Sequence, residues 1–231
     1  MSADLVYDLE PPAPGRPLLV VLHGLGDDRR GWRSVVPMLG LAGWGVCYAQ
    51  APDPYGDGWS WFDIDLGPPL VVDAAGVARS HRCLVRLLAE LAERTATPPS
   101  RIALLGFSQG GLLTLEVALR HAEPLLAAVC ICGWLHRAAD WPAALGRAAA
   151  AQRLLCLFGR YDPLVPPALA RPPLSALARY GVRIVCEEHE TAHGVNDAGL
   201  ASIRRWLLDA ERAEHEHPTR GGTHEPTVQQ G

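Results

Sequence analysis

The sequence predicts an α/β fold, with helices on both faces of a mostly parallel sheet of about seven strands. Three observations lead there. Short β-type runs alternate with helical patterns along the chain. Most of those runs are continuously apolar rather than alternating, as strands buried on both faces are. The composition, 48% hydrophobic and 20% charged over 231 residues, supplies enough apolar material for a buried core.

In chain order, the first strand candidates are Leu5–Leu9 and Leu18–Leu22, the latter five consecutive aliphatic residues. The second runs into a glycine turn, His23-Gly-Leu-Gly-Asp-Asp. A helical segment is expected near Trp32–Leu39 and a strand at Gly45–Gln50. The stretch Ala51–Val72 is rich in Trp and Gly. The helix Asp73–Thr95 is the clearest element. Val77, His81, Leu84, Leu88 and Leu91 fall at steps of three or four, while Arg79, Arg82, Arg86, Glu90 and Glu93 line the other side. Pro98 and Pro99 stop it. Strand Arg101–Phe107 leads through a turn into helix Gln109–His121. Leu125–Cys132 and Arg153–Phe158 are strands, Ala168–Tyr180 a helix and Val182–Glu187 the last strand. The last helix runs from Asp197, its expected N-cap, to about Arg212. Beyond that the composition turns to His, Glu, Gly, Thr, Pro and Gln. Residues 1–212 therefore read as a single domain and 213–231 as a flexible C-terminal tail.

Composition also limits the function classes. A formal net charge of −4 gives no basic field for nucleic acid or an anionic membrane. All 21 basic residues are Arg, so a Schiff-base lysine and a phosphate-loop lysine are both excluded. The N-terminus shows no signal-peptide pattern. The longest apolar stretch, Leu125 to Cys132, is far short of the roughly 20 residues a membrane helix requires. The six cysteines show no metal-ligand spacing and read as buried, reduced thiols of a cytoplasmic protein. Cys130 and Cys132 would share one face of a strand.

The strongest chemical signal is the segment Arg101-Ile-Ala-Leu-Leu-Gly-Phe-Ser-Gln-Gly-Gly, a strand, a G-x-S-x-G turn (Gly106, Ser108, Gly110) and a helix. Such an elbow forces Ser108 into a strained backbone and lifts its hydroxyl clear of the sheet. The helix N-terminus behind it favours negative charge at the same place. A serine hydroxyl is a poor nucleophile until a base takes its proton. Of nine histidines, His193 lies in the loop between the last strand and the last helix, at the sheet edge where Ser108 also ends a strand. Gly194 after it permits a tight turn. His189 is its rival. The acid that fixes the imidazole tautomer is Asp162, in the strand-end segment Gly159-Arg-Tyr-Asp-Pro-Leu-Val-Pro. For the oxyanion, the backbone N–H groups of Gln109 and Leu25 are the candidate donors, with His23 supporting the turn rather than reacting. Trp59, Trp61 and Phe62 either wall the acyl side of a substrate pocket or pack on the sheet.

Five motifs occur in order: L-H-G-L-G-D at Leu22–Asp27, W-F-D-I at Trp61–Ile64, G-F-S-Q-G-G at Gly106–Gly111, D-P-L-V-P at Asp162–Pro166, and H-G at His193. Over about Leu18 to Leu208 this set resembles the phospholipase/carboxylesterase family of α/β-hydrolases, which includes small bacterial carboxylesterases and acyl-protein thioesterases. The resemblance implies the α/β-hydrolase fold and a Ser-Asp-His order met by Ser108, Asp162 and His193. It also implies an acyl-enzyme, no metal or other cofactor, and a homodimer in some members. Two departures bear on the acyl pocket: the stretch before W-F-D, and Trp134 after Gly133, where a smaller aromatic or a hydroxyl residue is expected. The expected activity is cleavage of carboxylic esters with small to medium acyl chains. Acyl-protein thioesterase or lysophospholipase activity, a peptidase of the same fold, and a catalytically inactive binding module are the alternatives.

Overall fold

The structure is a computed structural model that describes residues 4–65, 67, 70–141 and 143–216. Seven strands form the main sheet: β1 (Tyr7–Glu10), β2 (Leu18–Leu22), β3 (Gly45–Ala49), β4 (Ile102–Phe107), β5 (Ala127–Ile131), β6 (Leu154–Gly159) and β7 (Ile184–His189). Their order is β1-β3-β2-β4-β5-β6-β7. Only β1 pairs antiparallel, against β3, and every other neighbour is parallel. The continuous apolar runs have their cause here, since β2, β3, β5 and β6 are buried at every position.

The helices are α1 (Ala74–Thr95), α2 (Gln109–Arg120), α3 (Pro167–Ala176) and α4 (Asp197–Glu216). Alternate strand residues feed two cores. Leu18, Val20, Leu22 and Leu104 pack with Leu84, Leu88 and Leu91 of α1, Leu112 and Leu115 of α2 and Leu174 of α3. Leu19, Val21, Leu105 and Val129 face the other way, onto Ile203 and Leu207 of α4 and onto Trp32 and Leu39. Each fully buried Leu stabilises by about 1.5–3 kcal/mol, so both faces matter. The Asp73 carboxylate caps α1, accepting the Ala75 and Gly76 amides at 2.9 Å each.

Three expectations need correction, and one stretch gains elements that the sequence pattern did not assign. The segment near Trp32–Leu39 is a series of turns closed by one 3-10 turn, Val36–Leu39, because Pro37 and Gly40 allow no longer helix. Ala51–Val72 holds two short antiparallel ribbons, Asp53–Tyr55 with Gly58–Ser60 and Ile64–Asp65 with Val71–Val72. The cap of α4 is Asn196, whose side-chain oxygen accepts the Gly199 amide at 3.0 Å, and Asp197 is the first helical residue. Finally, α4 continues to Glu216, four residues into the expected tail, and 217–231 lies outside the described residues. Among the described residues no helix is long and apolar enough to cross a membrane. None of the six cysteines is in a disulfide.

Candidate active site

Parallel pairing brings the strand ends level. Leu22 pairs with Gly106, Phe107 with Ile131, Ile131 with Leu157 and Gly159 with His189. The loops leaving β2, β4, β6 and β7 therefore emerge along one edge, and the strand order reverses beside β2.

At the end of β4, Ser108 has φ 53° and ψ −112°, a conformation that L residues avoid. The turn works because Gly106 and Gly110 have no side chains. A β-carbon on Gly106 would lie 2.1 Å from the Gly110 carbonyl oxygen, and one on Gly110 would lie 2.3 Å from that of Leu22. Ser108 is held from both sides, its N–H donating to Ile131 at 2.8 Å and its carbonyl accepting from Leu112 at 3.0 Å.

His193 reaches the serine from the β7–α4 loop. Its Nε2 lies 3.0 Å from Ser108 Oγ, and its Nδ1 lies 2.7 Å from Asp162 Oδ2. An ionised carboxylate only accepts, so Nδ1 carries the proton and Nε2 is left to accept from the serine hydroxyl. The Asp162 side chain has no exposed surface. Burial alone would push its carboxyl up. The Val165 amide, the His193 ring and the Leu164 amide outweigh it and hold Asp162 below the ordinary carboxylate range. Both amides donate to Oδ1 at 2.9 Å, leaving Oδ2 to the imidazole. The Phe107 ring braces the imidazole, with centroids 5.0 Å apart. His189 instead faces Glu187 at 3.3 Å and is outside the cavity wall.

Leu25 and Gln109 border the same cavity as Ser108 and His193. Among the described residues neither backbone N–H has a hydrogen-bond partner. The turn carrying Leu25 is fixed by His23, whose ring accepts the Ala51 amide at 3.1 Å through Nε2 and meets the Gly24 carbonyl at 2.7 Å through Nδ1. Burial holds the His23 pKa below the ordinary value, so the ring supports the turn in its neutral form.

The cavity beside Ser108 measures about 180 Å³, with Leu25, Ile64, Leu70, Phe107, Trp134 and Leu164 as its apolar wall. Trp134 stands in this wall, whereas Trp59, Trp61 and Phe62 do not line it, and the expectation that they wall the pocket is corrected. Trp61 and Phe62 have no exposed surface and belong to the core. The buried Gln109 side chain draws them in. It accepts the Trp61 amide at 3.0 Å and donates to the Phe62 carbonyl at 2.8 Å, while the Trp61 indole N–H donates to His23 at 2.8 Å. Trp59 pairs its backbone with Gly26 and Asp27 and so braces the Leu25 turn.

Sequence reasoning missed three contributors: the Gln109 side chain, the Phe107 ring, and Cys132, whose Sγ lies within 4.8 Å of both an Asp162 oxygen and a His193 nitrogen. D-x-x-V at Asp162–Val165 did carry the signal for an aspartate collecting the following amides.

A profile of the phospholipase/carboxylesterase family matches residues 9–207. The chain belongs to the phospholipase/carboxylesterase family. Family membership makes it a hydrolase of the α/β-hydrolase fold. It is 32% identical over 171 residues to acyl-protein thioesterase 1 of Schizosaccharomyces pombe, covering 70% of this chain and 74% of that one. Among solved structures it resembles esterase PE8, with a TM-score of 0.78, 26% identity and coverage of 90% of this chain and 100% of that one. The acyl-protein thioesterase 2 of Zea mays superposes with a TM-score of 0.73 at 23% identity, over 89% and 98% of the two chains, and shares the fold. Of the two departures from the family pattern, the stretch before W-F-D holds the ribbon of Asp53–Tyr55 with Gly58–Ser60, and Trp134 lies in the cavity wall.

Proposed function

We propose that this member of the family is a serine carboxylesterase acting on small-molecule esters of small to medium acyl chains. The observation that carries the reading is the unbroken hydrogen-bonded line from Ser108 Oγ through His193 to Asp162, opening onto an apolar cavity. His193 Nε2 takes the proton as Ser108 Oγ attacks the ester carbonyl. The tetrahedral oxyanion forms between the N–H groups of Leu25 and Gln109, where the N-terminus of α2 adds favourable potential. The imidazolium, stabilised by Asp162, then protonates the departing alcohol. Water repeats the sequence on the acyl-enzyme and releases the acid.

The cavity volume supports the acyl size. About 180 Å³ is below the roughly 300–1,000 Å³ of pockets that enclose drug-sized ligands. A wider groove of about 820 Å³ shares Leu70, Trp134 and Leu164 with the cavity and gives the leaving group room. Six cysteines and no disulfide suit a reducing compartment such as the cytoplasm.

The S. pombe relative's name favours a second reading, acyl thioester hydrolysis by the same residues. A panel of oxygen esters and matched thioesters of increasing acyl length, with Ser108→Ala as control, separates the two. The proposal expects oxygen esters of short and medium chains to be preferred and Ser108→Ala to lose about 10⁴-fold or more in kcat. A preference for long-chain thioesters overturns it in favour of the second reading. Activity retained in Ser108→Ala overturns both.

A further inference from the structure

Cys132 follows β5 directly, and three features separate it from the other five cysteines. It is fully buried, yet its backbone has φ 50°, one of only four non-glycine residues with positive φ among those described. Its Sγ–H donates to the Gly194 carbonyl at 3.5 Å, in the loop that carries His193. And Sγ, an Asp162 carboxylate oxygen and a His193 ring nitrogen all lie within 4.8 Å of one another. Its own N–H donates to Leu157 of β6 at 2.8 Å, so the residue is anchored to the strand that leads to Asp162.

The thiol is no nucleophile. Burial above all, together with the Asp162 charge, raises its pKa to about 12, so it stays protonated and acts as a donor. A residue that only filled space at this point would have no S–H to donate to the His193 loop.

We propose that Cys132 is a positioning residue for the acid–base pair. Its thiol ties the His193 loop through Gly194 and lies against the Asp162 carboxylate, holding the imidazole where Nε2 faces Ser108. The proposal rests on the esterase reading for its kinetic consequences and on geometry alone for the position of the ring.

The test compares Cys132→Ala and Cys132→Ser in the full chain. One readout is kcat and KM for a short-chain ester as a function of pH. The other is the downfield proton resonance of His193 Nδ1, which needs no substrate. Cys132→Ala is expected to lower kcat about tenfold at unchanged KM and to displace the Nδ1 resonance. Cys132→Ser, which keeps a donor, should recover most of kcat and the wild-type resonance. Should the alanine variant fail to fold, Cys132→Gly tolerates the positive φ and replaces it. Wild-type kcat and resonance in both variants overturn the proposal. So does an equal loss in both with the resonance unmoved, which would make the sulfur packing alone. A resonance displaced in Cys132→Ala and restored in Cys132→Ser, in a protein that hydrolyses no ester, leaves the positioning role standing and removes the esterase reading instead.

Discussion

The Gln109 carboxamide oxygen accepts the Trp61 backbone N–H at 3.0 Å, so the residue after the candidate nucleophile also anchors a distant loop. The same oxygen accepts the Ser60 hydroxyl at 3.3 Å, and the amide nitrogen donates to Phe62. Gln109→Ala strips partners from the buried Trp61 N–H and Phe62 carbonyl together. A loss of about 2–4 kcal/mol in urea unfolding is expected. A change below 0.5 kcal/mol would show that the loop holds without it.

The strain at Ser108 predicts a difference between two inactive variants. Alanine keeps a β-carbon at φ 53° and retains the strain, whereas glycine relieves it. Ser108→Gly is therefore expected to be more stable than Ser108→Ala by about 1 kcal/mol in denaturant unfolding. The reverse order would mean that the elbow is not under backbone strain.

His81 sets part of the acid stability. Burial, followed by the charges of Arg120, Arg82 and His121, lowers its pKa from 6.5 to about 4. As pH falls through this window the unfolded chain takes up the proton first, so stability declines between pH 6.5 and about 4. The contribution amounts to about 2–3 kcal/mol by the low end. His81→Gln should flatten that part of the curve, as read from urea midpoints at pH 7 and pH 4.5. An unchanged slope would contradict the buried neutral imidazole.

Trp134 and Trp61 are both large and both mostly or fully buried, yet only Trp134 borders the cavity beside Ser108. Trp134→Ala is expected to shift the acyl-length optimum upward by several carbons in a hydrolysis profile. Trp61→Phe should leave the optimum in place and cost stability through the lost indole bond to His23. An identical profile in Trp134→Ala would place the acyl chain elsewhere.

Much of this was legible in the sequence because it is written in local pattern. Continuous apolar runs such as Leu18–Leu22 report burial on both faces, the spacing of Leu84, Leu88 and Leu91 reports a helix face, and Gly106 and Gly110 report a close backbone approach around Ser108. Placing Asp162 and His193 at strand ends needed only the rule that parallel strands present their carboxyl ends to one edge. What the tertiary structure alone decided is which side chains fill the space between those loops. A β-carbon on Gly159 would lie 1.9 Å from the Ala192 carbonyl oxygen, a clearance that no spacing along the chain encodes. Trp59, Trp61 and Phe62 look like a pocket wall by residue type, yet a glutamine 48 positions after Trp61 pulls that segment into the scaffold. Cys132 reads as a buried strand thiol until the β5, β6 and β7 loops converge on it. Local pattern fixes the elements because it acts through neighbours in the chain. The contacts of a site join residues dozens of positions apart, and only packing brings those together.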